Sequence, residues 1–498
     1  MGFNLSSKRN KRSKRQAKAL AFENLEARRM LSVNAGSVGL DTILVTTTSD
    51  VVDSTDGVTS LREAVTVANF SMEIGAIEFA SGAGEAFEGD ALIRLTEGEL
   101  VITEDLSIDG STAGGELVIT ADANGDDVTV AGTDITDVSA SFGGVVGAAD
   151  DFLDDNSRVF NVFGASATFT GLTVTGGRTN AGDSFTTFMD RFGEGGGILA
   201  QSGDLTLVST TLDGNSTSGT FSDGGSISFT AIDSAGPVGT LTLTNSVVRA
   251  SSTSGISASG GGISATGSVI INNSIISDNS TTGIRDDFGF GGNGGGISVL
   301  VGDLIVNDSI ISENSSTGTG GGISVRLLSS ATLNRTTVSG NTSFGDGGGL
   351  EFLSGGFDLD SISLEITDSL FSDNVTLGIS TNPLLGSSGG GVSSDAPTAI
   401  SNSTFVGNVA NTFGGGFAVE IDSLVNDAPT AISNSTFVGN VANTFGGGVA
   451  LGPDFTFDQN TVTGNLAAEF GGFFAGEPVS VTNAVSYTHL TLPTTPYV

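Results

Sequence analysis

The chain has 498 residues with 75 glycines, 8 prolines and no cysteine, and a net charge of −37. Glycine at about twice its ordinary share without a Gly-X-Y period excludes collagen, and the missing cysteine excludes a disulfide framework and thiolate metal sites. So acidic a chain repels nucleic acid and anionic lipid and attracts divalent cations; no nucleic-acid partner is expected, and no apolar run is long enough for a transmembrane helix.

Residues 1–32 hold every lysine (Lys8, Lys11, Lys14, Lys18) with Arg9, Arg12, Arg15, Arg28 and Arg29, opposed only by Glu23 and Glu26. The basic run has no apolar core of a signal peptide behind it. Phe22 to Ser32, FENLEARRMLS, resembles the LEPR-x-LL segment of large exported proteins of planctomycete-type bacteria, departing from it at Ala27, where that family has proline, and at Met30. The resemblance implies a basic export-associated N-terminal segment.

Residues 33–194 are expected to form the N-terminal cap and first coils of a β-helix. Ile43–Asp50 and Asp56–Val65 resemble the CSLREA segment that opens many bacterial β-helices, with Thr59 in place of the cysteine. Asp122-Ala-Asn124-Gly-Asp126-Asp127 fails the EF-hand pattern, because the sixth position is Asp127 rather than glycine and the twelfth is Thr133.

From residue 195 to 484 one unit recurs. Three glycines precede a hydrophobic residue at Gly195–Ile198, Gly260–Ile263, Gly294–Ile297, Gly320–Ile323, Gly347–Leu350, Gly389–Val392, Gly414–Phe417 and Gly446–Val449. Ahead of most of these a hydrophobic residue stands three before an asparagine: Leu212/Asn215, Ile276/Asn279, Ile311/Asn314, Val338/Asn341, Phe371/Asn374, Phe405/Asn408, Phe437/Asn440 and Val462/Asn465. Runs such as Thr240-Leu-Thr-Leu-Thr244 alternate with period two, and Val269-Ile-Ile271 is continuously apolar, with Gly, Asn, Asp and Ser between. Short strands at such a period, without a helical pattern, predict a β-solenoid in which each repeat is one coil. The asparagines are expected to be structural ladder residues at a tight corner that takes the left-handed conformation, and longer gaps are expected to be loops inserted at one fixed corner. Gly289–Gly294 matches G-x-G-x-x-G, but strand-like Ile297-Ser-Val-Leu follows where a dinucleotide site needs a helix.

The paired elements resemble the repeats of polymorphic outer-membrane proteins, GG-hydrophobic with F-x-x-N, met literally at Phe371/Asn374, Phe405/Asn408 and Phe437/Asn440. This resemblance implies an all-β, right-handed parallel β-helix of pectate-lyase-like architecture, secreted or displayed at the cell outer membrane or surface. That family often continues into an outer-membrane barrel, so an anchor in a missing C-terminus is expected. Residues 485–498 hold the sole histidine, His489, and both tyrosines, Tyr487 and Tyr497. Their string VSYTHLTLPTT resembles the translation of a sequencing-library adapter. Asp395–Gly416 and Asp427–Gly448 are identical.

Chemistry is sparse. The acidic pairs Asp150, Asp151, Asp154, Asp155 and Asp286, Asp287 are weak calcium candidates, and calcium is the one cofactor left open. A lyase would need a base beside them, and the nearest basic residues are Arg158, Arg178, Arg191 and Arg285. With no tryptophan and no histidine outside the adapter-like tail, the reading is a structural or adhesin-like protein contacting extracellular polysaccharide or protein ligands. The alternative is a calcium-dependent polysaccharide lyase or other carbohydrate-active enzyme.

Overall fold

A strand that alternates inward and outward side chains, followed by a one-residue left-handed turn, changes direction without leaving its coil. The computed structural model describes residues 41–71, 73–123, 157–180, 194–233, 236–237, 239–283, 291–327, 329–354, 362–378, 387–419, 429–452, 455–475, 481–482 and 485–487. Leu40–Val498 is one unit, separate from Met1–Gly39.

Each coil lays down up to four short strands. In one of them these are Ser268–Asn272 on sheet A, Ile275–Ser277 on sheet B, Ser280–Thr281 on sheet C and, after the glycines, Ile297–Val301 on sheet D. Repetition makes parallel sheets of 14, 13, 9 and 12 strands. The chain is therefore a right-handed parallel β-helix, all-β apart from one α-helix and one 3-10 turn among the described residues.

The core is a set of axial stacks. Ile276, Ile311, Val338, Phe371, Phe405 and Phe437 succeed one another in register on sheet B, all buried. The Phe371, Phe405 and Phe437 rings stack at 5.0 and 4.7 Å, close to parallel. Each ring covers the next along the axis, while sheets A and D close the core from the other sides.

Helix α1, Leu61–Ala68, begins within the CSLREA-like segment, runs three residues past it and buries Leu61, Ala64, Val65 and Ala68 against the first coil. Ser60 and Glu63 close its N-terminus reciprocally: the Glu63 N–H donates to Ser60 Oγ at 3.1 Å and the Ser60 N–H to Glu63 Oε2 at 3.0 Å. Arg62 fixes the helix by donating to both Asp50 oxygens at 2.8 and 2.9 Å and to the carbonyls of Gly98 and Glu99.

One expectation needs widening and one needs correction. The longer Asn-to-Gly gaps, 279 to 296 and 374 to 391, fall at one corner, between sheets C and D, but residues 355–361 and 420–428 fall between sheets D and A in chain order. Both corners flank sheet D. The A–B and B–C corners hold length because groups there bond axially to the next coil, and an insertion would break that pairing. The left-handed residue is also not the ladder asparagine but its predecessor: Asp278, Glu313, Gly340, Asp373 and Gly407 have φ of 57°, 55°, 65°, 55° and 66°.

Val485–Tyr487 pairs with Thr461–Thr463 as a further sheet B strand, so pairing runs across the 484/485 boundary. Backbone pairing of this kind is indifferent to the origin of the residues.

Candidate functional site

The B–C corner brings the predicted asparagines together. Asn279, Asn314, Asn341, Asn374, Asn408 and Asn440 are buried, and Asn465 is half-buried. Asn341 shows the pattern. Its N–H and Nδ2 donate to Asn374 Oδ1 at 3.1 and 2.9 Å, and Nδ2 also donates to the Ile311 carbonyl at 2.9 Å. Its own Oδ1 accepts the N–H and Nδ2 of Asn314, both at 3.0 Å. One amide thus ties three coils, and the run is unbroken from Asn279 to Asn465.

Asn215 joins the run only through serines, its Nδ2 donating to Ser226 Oγ at 3.3 Å. Its Oδ1 accepts the Gly177 N–H at 3.0 Å and its Nδ2 donates to the Val174 carbonyl at 3.0 Å. Between it and Asn279 the coil carries Ser251, whose N–H donates to Asn279 Oδ1 at 3.1 Å and whose hydroxyl meets Ser226 Oγ at 2.6 Å.

Sequence reasoning missed a second ladder. At the A–B corner Ser246, Ser274, Ser309, Thr336, Ser369, Ser403 and Ser435 are buried, five residues ahead of the Asn or Ser251 position. Ser369 Oγ accepts the Thr336 N–H at 3.1 Å and donates to the Thr367 carbonyl at 2.8 Å, and Ser403 repeats this at 3.1 and 2.7 Å. The Ser/Thr at that fixed offset was the available signal.

The chemistry-bearing groups collect on the outer face of sheet D. Ser298, Ser324, Glu351, Ser393, Ala418 and Ala450 follow one another in register and point away from the core, because their strand neighbours Val325 and Phe352 point into it. This outward row is nevertheless buried: Ser324 is 0 % exposed and Glu351 1 %. Glu351 Oε2 accepts from Ser324 Oγ at 2.7 Å and Oε1 from Arg326 Nη2 at 3.1 Å. Arg326 Nη2 also donates to Thr319 Oγ1 at 2.8 Å.

Two coils from Arg326, Asp395 accepts the Ser354 N–H at 2.5 Å and its hydroxyl at 3.1 Å. Burial pushes the Asp395 carboxyl above the usual carboxylate range and Glu351 adds to this, while the Ser354 bonds work against it. Ser393 Oγ, beside Glu351 in register, has no hydrogen-bond partner among the described residues.

Nearer the N-terminus Arg158 donates to Glu99 Oε2 at 2.5 Å and to the carbonyls of Glu194 and Gly195. Burial lowers its pKa from the ordinary arginine value, against the opposing pull of Glu99. Asp122, first of the failed calcium pattern, is buried and accepts from Arg94 Nη1 at 3.0 Å. Asp150, Asp151, Asp154, Asp155, Asp286 and Asp287 lie outside the described residues, as do Arg191, Arg285 and residues 1–32. Among the described residues no three acidic or histidine side chains are grouped to hold a metal ion, and no helix is long and apolar enough to cross a membrane.

No protein-family model matches the chain, and no curated protein matches it in sequence. Among solved structures it is similar to tailspike protein 3 of bacteriophage CBA120, with a TM-score of 0.38 and 12% identity over 87% of this chain and 54% of the tailspike. The chain therefore spans about half the tailspike's length.

Proposed function

We propose that the chain is a secreted or outer-surface β-helical protein that works as a structural rod, an adhesin-like passenger or stalk carrying contacts to extracellular polysaccharide or protein ligands. The observation that carries this is the axial stitching: buried asparagine and serine/threonine ladders join coil to coil over most of the repeat region. Such stitching resists bending and shear between coils and suits reach and load. The corners beside sheet D, where chain is inserted, can carry contacts without disturbing the ladders.

Treating intact cells of the source with protease and following the repeat region by antibody tests this. Digestion from the outside, with purified protein binding cell or matrix polysaccharide, is expected. Protection until cells are lysed would overturn it.

A carbohydrate-active enzyme is the second reading. It is favoured by one observation, the buried carboxyls of Glu351 and Asp395 that act on one another, the latter pushed above the usual carboxylate range. Incubation with acidic and neutral polysaccharides, with and without calcium, decides between them. Chain cleavage that is lost in Glu351→Gln would establish the enzyme.

A further inference from the structure

The stretches 396–419 and 428–452, which supply the strands of two consecutive coils, contain no charged residue in a chain whose net charge is −37, and the acids of these coils, Glu420, Asp422 and Asp427, fall between sheets D and A in chain order. Three features change in or beside these coils. On the outer face of sheet B, Ser277, Ser312, Ser339 and Ser372 give way in the same register to Val406 and Val438. On sheet C, Ser280, Ser315 and Thr342 give way to Val375, Val409 and Val441, and the chain continues to Leu466, which is 64% exposed. At the turn between these sheets, Asp278, Glu313, Gly340 and Asp373 are succeeded by Gly407 and Gly439. The apolar row of sheet C thus begins one coil before that of sheet B, Thr404 and Thr436 follow Leu370 at the other outward position of sheet B, and the corner between the two sheets carries no insertion in these coils.

We propose that this band is a self-association surface through which two copies of the chain pack side by side, valines on valines. The charge distribution chooses the occupant. Two copies repel each other wherever their acidic surfaces meet, and the band lets them touch without bringing like charges together. A polyanion would be repelled as a whole, and a polycation would be drawn to the carboxylates outside the band rather than to the valines. Because the same patch serves both partners, the contact is two-fold and closes as a dimer. Its axial extent is a few coils at ~4.8 Å each, so affinity is expected to be modest, about micromolar or weaker. The proposal does not rest on surface display, since it concerns the purified chain.

Sedimentation velocity of the full chain over a concentration series, at about 50 mM and about 500 mM NaCl, tests it. The average mass should rise from one copy to two, and the apparent Kd should fall several-fold at the higher salt, because salt screens the repulsion and leaves apolar contact intact. Val406→Asp with Val438→Asp should abolish association at either salt with the far-UV spectrum unchanged. Val406→Ser with Val438→Ser restores what earlier coils carry and should weaken association about tenfold. The proposal is overturned by a chain that stays single throughout, by association that weakens with salt, or by variants that associate like wild type. A single chain that floats with zwitterionic phosphatidylcholine vesicles would also overturn it, giving the band to a lipid surface.

Discussion

The ladder asparagine is costly to replace because it is never the only group affected. In Asn341→Ala the Nδ2 bonds to Asn374 Oδ1 and the Ile311 carbonyl vanish, and the Asn314 N–H and one Nδ2 hydrogen of Asn314 lose their acceptor inside the core. Stranded buried donors cost about 1–3 kcal/mol each, so a loss of about 3–5 kcal/mol is expected from denaturant unfolding. Asn341→Ser should cost distinctly less, because at this corner the Ser251 hydroxyl is satisfied by Ser226 Oγ and the Arg249 carbonyl. Asp395 supplies a test with a definite sign. Its carboxyl is pushed up by burial, so the folded chain holds that proton more tightly than the unfolded chain does. Stability therefore falls as pH rises from the ordinary carboxylate range through the raised value, and the cost is fully present above it. Asp395→Asn keeps an acceptor for the Ser354 N–H and removes the titration. Unfolding free energies across pH should show the variant gaining on wild type as pH rises through that window, then a constant difference. Parallel curves would rule out the buried carboxyl as the cause.

At the scale of the coil, the period-two runs named the strands well because an inward residue must be apolar in every coil. Leu241/Leu243, Val269/Ile271 and Leu304/Val306 are in register on sheet A, all buried. The asparagine corner was legible for the same reason, since position and residue type recur together. The serine/threonine corner was not, because a serine between polar neighbours looks solvated until the next coil closes over it. Glu351 was missed for a different reason: one acid among Ser and Ala at its register position gives no periodic signal, and its burial depends on the third dimension. Helix α1 had a local signal in Ser60 and Glu63, masked by a composition poor in helix formers. The turn before each asparagine yields a prediction of its own. Its left-handed conformation suits glycine, which Gly340, Gly407 and Gly439 supply, whereas Glu313 holds φ of 55° with a side chain that gains nothing from it. Glu313→Gly should stabilise the chain by about 0.5–1 kcal/mol in thermal or denaturant melts, and a loss of stability would mean that the Glu313 carboxylate contributes more than the backbone strain costs.

The whole molecule is a one-dimensional stack, so its stability is set by what each coil presents to the coils above and below rather than by chain length. The identical segments Asp395–Gly416 and Asp427–Gly448 make this testable without designing a new interface. Thr398, Ala399, Ile400 and Ser401 pair with Thr430, Ala431, Ile432 and Ser433, and Phe405 with Phe437, so the repeat offset equals one coil. Deleting residues 395–426 joins Ser394 to Asp427 and lays Ile432, Phe437 and Asn440 where Ile400, Phe405 and Asn408 had been. The Asn374 N–H and Nδ2 then find the Asn440 oxygen in place of Asn408's, and the Phe371 ring meets Phe437 in place of Phe405. A folded chain with a cooperative melt within a few degrees of wild type is expected. Deleting half as many residues should unfold the C-terminal coils, because inward residues would then face solvent and both ladders would lose register. The full-coil deletion also removes half of the uncharged band, so dimerisation should weaken sharply while folding survives. That separation would show that the duplicated coil contributes to contact between molecules and is dispensable for the fold, whereas a deletion that collapses the rod would show coupling between coils that are not neighbours.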